Sequence, residues 1–301
     1  MSAYLPVPMN KAAVIYLSPW GKVTGSLIDS LEYLIALKRS GVPVQLVYMG
    51  WNQGLPEKLI RDRYALEFDP LEDAIFLPLR WQVVAQKFDR VLLPYNTYRR
   101  IFWWLRARET FVLPSMWMRR DARWPFGFPV ERGKVTYLLN PKQHDYRLRN
   151  VVPYEKKLLL DCLKQPATTE NNLLINCQSS HKQHSAEEIH KAAKDIPHDK
   201  LLVLCGKRQA AYYRNAGFTV LTPPVEDFFA RFSRYLYLPA IDGYDENPRL
   251  LIECAAMGKE IHFPEESCTD PHTLGKYQRL KESTQSFQIK ADDFVLQQFK
   301  A

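Results

Sequence analysis

Short unbroken apolar runs alternate along this chain with longer stretches in which apolar residues recur at helical spacing. Ala12–Leu17 is apolar throughout and predicts a buried strand. A loop with Gly21 and Gly25 follows, then Leu27–Leu37 carries the helical period and Gly41 ends it. Val42–Tyr48 reads as the next strand, with Pro43 near its start, where a strand tolerates it. Strand, helix, strand is the opening of a parallel, doubly wound sheet. Asp89–Pro94, Thr110–Pro114 and Val135–Leu139 predict further strands, and Tyr154–Leu163 a helix. The polar segment Lys164–Asn172 reads as a domain linker.

A second α/β pattern then begins. Strands are expected at Leu173–Cys177, Leu201–Cys205 (closed by Gly206), Thr219–Leu221, Tyr235–Leu238 and Ile261–Phe263. Helices are expected at Ser185–Lys194 and Pro248–Met257, the latter with Gly258 where a C′ glycine belongs. No internal repeat or low-complexity tract interrupts this order. The expected fold class is α/β: two Rossmann-like domains, 1–165 and 166–285, facing across a cleft, with 286–301 packing back on the first. Ligands in such sheets bind beyond the carboxyl ends of the strands.

Composition narrows the class. Of 301 residues, 46% are hydrophobic and 25% charged, which is ordinary globular usage. No apolar run approaches the roughly 18 residues of a membrane span, and the start lacks a signal-peptide pattern. Cys162, Cys177, Cys205, Cys254 and Cys268 are scattered without metal-ligand spacing, and read as free thiols in a reducing cytoplasm. The net charge of +8 is uneven. Residues 1–150 hold 22 Lys and Arg against 13 Asp and Glu, whereas 151–301 hold 19 against 20. The first half therefore expects an anionic partner, with a merely solvated basic surface as the alternative.

Candidate chemistry in the second half centres on Asp245–Glu253. Asn247 is a good N-cap and Pro248 a favoured first helical residue, so a helix amino terminus is expected just after a strand, where phosphate is held. Arg249 adds a cation for a diphosphate, and Glu253, one turn on, offers two oxygens to ribose hydroxyls. Asp245 and Glu246 precede the cap, and Asp245 with Glu253 forms an acidic pair resembling a signature of GT-B glycosyltransferases. Gly206 and Lys207 follow one strand, and Lys182 and His184 lie between another strand and its helix, all as donor-phosphate candidates. The plain alternative is an amphipathic helix with an Arg–Glu surface pair.

Four segments, in order, resemble the T-even phage DNA β-glucosyltransferase family: Phe88–Asn96, Asp121–Phe126, Tyr244–Glu253 and Pro264–His272. Members glucosylate 5-hydroxymethylcytosine in duplex DNA. The resemblance implies a GT-B fold, a nucleotide-diphosphate sugar donor (a UDP-sugar first), and Asp121 as catalytic base of an inverting transfer. A metal bridging the diphosphate is not generally required in GT-B enzymes, and magnesium stays open. The sequence departs from the family in the loop at 179–184, which has His181, Lys182 and His184 where the family has arginines. It departs again in the spacing of Arg249 from Glu253. The acceptor is expected on Arg99, Arg100, Arg119, Arg120, Arg123 and Trp124, in a segment where arginines stand among Trp103, Trp104 and Trp117. Packing of Phe102, Trp103 and Leu105 against a sheet is the bland alternative. The rivals are an envelope glycosyltransferase using these residues at a membrane surface on a lipid-linked glycan, and a non-catalytic DNA- or nucleotide-binding protein. A monomer is expected.

Overall fold

A computed structural model describes residues 12–18, 21–113, 134–137, 157, 170–178, 183–238 and 249–264. They fall into two compact units, one up to residue 137 with Lys157, the other from residue 170 onward. The expected boundary at 165 and the segment 286–301 lie outside the described residues.

Unit 1 is a six-stranded parallel sheet: β1 Ala12–Ser18, β2 Val44–Gly50, β3 Ile75–Leu77, β4 Phe88–Pro94, β5 Ala107–Leu113 and β6 Lys134–Tyr137, in the order β3-β2-β1-β4-β5-β6. This is the doubly wound order, with its switch point between β1 and β4. Helices α1 Gly25–Arg39 and α2 Leu55–Arg63 lie over one face, where Leu27, Leu31, Leu34 and Leu59 meet Val14, Leu46 and Leu92. The other face carries a 3-10 helix, η1 Arg80–Ala85, and α3 Tyr95–Ile101, whose Val83 and Ile101 pack on Ile15, Val47, Val91 and Leu93. With both faces covered, strands read as continuous apolar runs rather than alternating ones. β2 is buried along all seven residues.

Local chemistry sets the element ends. Thr24 caps α1, its hydroxyl accepting from the Leu27 N–H. At the other end Gly41, at φ +75°, lets its own N–H reach Lys38 O and that of Val42 reach Leu37 O. That pair of bonds closes the orphan carbonyls in a Schellman motif. Pro43 falls before β2 rather than inside it, since proline has no N–H to give the ladder.

Unit 2 holds five parallel strands: β7 Leu173–Cys177, β8 Leu201–Cys205, β9 Thr219–Leu221, β10 Arg234–Leu236 and β11 Glu260–His262, in the order β11-β10-β7-β8-β9. Helices α4 Ala186–Ala193 and α5 Ala210–Asn215 bury Ile189, Ala193, Ala210 and Tyr213 against Ile175, Val203 and Leu236. Helix α6 Arg249–Ala256 packs on β11 and ends at Gly258, φ +64°, with the two bonds Gly258 N–H to Ala255 O and Lys259 N–H to Cys254 O. The glycine expected there takes the left-handed conformation assigned to it. Among the described residues no helix is long and apolar enough to cross a membrane.

Ser185 caps α4 in a reciprocal box. Its hydroxyl accepts from Glu188 N–H at 3.1 Å, and the Glu188 carboxylate accepts from Ser185 N–H at 2.7 Å. The backbone bond from Ser185 holds the Glu188 carboxyl below its ordinary range. A depressed carboxyl pKa adds stability above its unfolded value, and that increment is lost as the pH falls through the folded value. Ser185→Ala is expected to cost about 1 kcal/mol at neutral pH in urea unfolding. Alanine keeps the residue-185 N–H, so the pH-dependent part should appear instead in Glu188→Ala, whose difference from wild type shrinks on acidification as the wild-type carboxylate protonates.

Candidate functional site

In unit 2, β7 and β10 are hydrogen-bonded neighbours, Leu173 opposite Arg234, though two strands intervene in the sequence. The strand order reverses there. Chain leaving their carboxyl ends leads to α4 from β7 and to α6 from β10, and β8, the next strand, leads to the loop at Gly206. Every donor candidate of the sequence lies in one of these three continuations.

Glu253 is described and only 8% exposed. It sits on α6 beside the fully buried Leu251 and Cys254. A carboxylate so enclosed is stable only where polar groups meet it. Burial, and next the charge of Glu253, push the Cys254 thiol well above its ordinary range, so it stays protonated and is no nucleophile. Lys259, beyond the helix, donates to Phe232 O at 2.9 Å and lies 5.2 Å from that ring, which ties down the carboxyl end of α6. Arg249 opens the helix. Asp245, Glu246, Asn247 and Lys182 lie outside the described residues.

His184 is buried, and its carbonyl accepts from the Tyr213 hydroxyl at 2.9 Å. Burial above all raises that phenol, which therefore stays a donor. Gly206 presents its N–H not to the exterior but to Gln209 Oε1, at 3.1 Å, while Lys207 is exposed. Gln209 was not among the sequence candidates. Its place three residues after a strand-ending glycine is the signal that finds it. The described cysteines, Cys177, Cys205 and Cys254, are buried thiols outside any disulfide; Cys162 and Cys268 lie outside the described residues.

In unit 1 the carboxyl edge at the switch point is closely built. Tyr16 and Thr24 share a hydroxyl bond of 2.5 Å, and Leu17 N–H donates to Thr97 Oγ1 at 3.2 Å across the β1/β4 switch. The Tyr16 and Tyr48 rings stack at 6.3 Å, and burial raises both phenols. Gly50 ends β2 where a Cβ would lie 2.9 Å from Ser18 O and 3.1 Å from Ser18 Cβ. Backbone atoms on a paired strand cannot withdraw cheaply. Gly50→Ala should cost about 1–3 kcal/mol by thermal or urea unfolding.

Arg99 and Arg100 are exposed on α3. Arg100 lies near enough to Tyr16 for its charge to act on that phenol. The aromatic cluster divides: Leu105 is buried and Trp104 half-buried on the core, as simple packing requires, whereas Trp103 is 46% exposed. Asp121, Arg119, Arg120, Arg123 and Trp124 lie outside the described residues.

No family model and no curated protein matches the sequence. Among solved structures, Acinetobacter baumannii MurG is similar at 13% identity, over 97% of this chain and 99% of that one, with a TM-score of 0.37. A glycosyltransferase from Rickettsia africae matches at 11% identity, over 97% and 94%, with a TM-score of 0.48. UDP-GlcNAc 2-epimerase from Neisseria meningitidis, bound to UDP-GlcNAc, matches at 10% identity, over 96% and 95%, with a TM-score of 0.47.

Proposed function

We propose that this chain is a nucleotide-sugar-dependent glycosyltransferase, with the donor bound by unit 2 and the hydroxyl of a 5-hydroxymethylated pyrimidine in DNA as acceptor. The observation that carries the donor half is the convergence at the unit 2 switch point. Buried Glu253 on α6, the β7–α4 connection and the Gly206 loop all continue from adjacent carboxyl strand ends. That is the position at which doubly wound sheets take nucleotides. Glu253 accepts from the ribose hydroxyls, and Arg249, Lys182 and Lys207 offset the charge of the diphosphate.

The acceptor half rests on the basic first half of the chain and on the resemblance that singles out Asp121. In the transfer, the acceptor hydroxyl oxygen attacks the anomeric carbon and its proton passes to Asp121. The bond from that carbon to the diphosphate breaks on the opposite side, so configuration inverts and the nucleoside diphosphate leaves with the electron pair. Arg99, Arg100, Arg119, Arg120, Arg123 and Trp124 hold the DNA, and the modified base is presented flipped out of the stack.

The test is transfer from a panel of nucleotide sugars, UDP-glucose first, to duplex DNA containing 5-hydroxymethylcytosine or 5-hydroxymethyluracil, read by nucleoside mass spectrometry. A mass increase by one glycosyl unit is expected. Transfer to a lipid-linked glycan with none to DNA would overturn the acceptor, and failure to bind or turn over any nucleotide sugar would overturn the enzyme.

A further inference from the structure

The outer surface of η1 and α3 carries charge that the donor chemistry does not use. Between Leu79 and Arg108 the chain has seven basic residues and one acidic residue, Asp89. Arg80, Lys87, Arg99, Arg100, Arg106 and Arg108 are exposed. Asp89 already pairs with Arg108, at 2.8 Å. The fold brings the others to one side of the sheet. Arg99 and Arg100 lie in the last turn of α3. The Arg80 guanidinium sits 4.6 Å from the Trp104 ring, bringing η1 beside the end of α3. Phe88 N–H donates to Arg106 O, which sets Lys87 next to Arg106 at the amino end of β4. The exposed cations thus gather on the η1/α3 side of the sheet, from Lys87 and Arg106 beside the amino end of β4 to Arg99 and Arg100 in the last turn of α3.

We infer that this patch is a track for the phosphate backbone of duplex DNA, extending the contact well beyond Arg99 and Arg100. The inference rests on the reading of DNA as acceptor. Several exposed cations gathered on one side, with one acidic residue among them, suit a polymer with one charge per roughly 1.7 Å of axis. Five of the six exposed cations are arginines, whose planar forks suit phosphate oxygens. An anionic bilayer is the other surface with phosphates. Trp81 (57% exposed) and Trp103 would serve it, but Leu79 and Val84 beside them, at 36% and 39%, add little apolar area for insertion.

The experiment measures binding of the full chain to an unmodified duplex by fluorescence anisotropy across a salt series, and to vesicles containing phosphatidylglycerol by sedimentation. The double variant Arg80→Ala/Arg106→Ala is expected to weaken DNA binding roughly 10- to 60-fold at ~0.1 M salt and to flatten the salt slope by about two. Lys58→Ala/Arg61→Ala, on α2 over the other sheet face, serves as the control and should leave both unchanged. Circular dichroism checks that each variant folds. An unchanged slope in the first variant, or an equal loss in the control, would overturn the patch. So would vesicle binding without DNA binding, abolished by Trp81→Ala/Trp103→Ala. DNA bound through the patch, with no sugar transferred, would leave the patch standing and reject the proposed activity.

Discussion

Asp121→Asn should lower transfer to hydroxymethylated DNA by about 10²- to 10⁴-fold, the range that a positioned general base supplies. The asparagine keeps the size and one acceptor oxygen but cannot take up the proton of the attacking hydroxyl. Donor binding lies in the other unit on this reading, so nucleotide affinity by calorimetry should be unchanged, as should the melting temperature. The loss belongs in kcat, because proton removal is a transition-state interaction. The acid limb of the pH–rate profile, set in wild type by ionisation of the aspartate, should disappear from the residual activity. Turnover within a factor of a few of wild type, in a well-folded variant, would remove Asp121 from the mechanism.

Glu253→Gln addresses the donor side. The substitution keeps the side chain's volume in its buried place on α6. One acceptor oxygen becomes a donor, and the charge that strengthens both ribose bonds is lost. Hydrogen bonds to charged groups contribute about 1.5–3 kcal/mol each, so the affinity for the free nucleotide should fall roughly 10- to 150-fold. Glu253 is enclosed, so folding has to be measured alongside. A lowered melting temperature with nucleotide affinity intact would make Glu253 a structural carboxylate and sink its ribose role. A loss of affinity at unchanged stability is the expected pattern.

The sheets were the most legible part of this chain. Runs such as Leu173–Cys177 and Leu201–Cys205 are apolar at every position because both faces of a parallel sheet are covered, and their strands match the expected bounds. Helix α4 was equally plain, since the Ser185-x-x-Glu188 spacing states its own cap. The short elements on the η1 side carry little local signal. α3 runs for seven residues without a side-chain cap, directly after Pro94, and most of its sequence is polar or aromatic. Only packing on Ile15 and Leu93 selects a helix there. Helix α2 is faint in the sequence for a different reason: Pro56 near its start and Leu55 and Leu59 one turn apart are helix signals, but over nine residues they are too few to stand out from a loop.

The site was less legible than the fold. Sequence spacing supplies residue types near strand ends, but not which strands are neighbours. Placing α6 and the β7–α4 connection around one switch point required the pairing of β10 with β7. The relation of Arg80 to Trp104 links residues far apart in the chain and leaves no mark in the local sequence. Burial of the Glu253 carboxylate is likewise a property of the folded helix that residue spacing does not state.

The bond from Gly206 N–H to Gln209 Oε1 changes how the β8 loop can act on a ligand. On the proposed donor reading, a phosphate at this loop would meet a donor already engaged by an amide of the same loop. Binding would then exchange one hydrogen bond for another, with Gln209 turning aside, so the loop keeps its backbone satisfied when empty and would favour the stronger, charged acceptor.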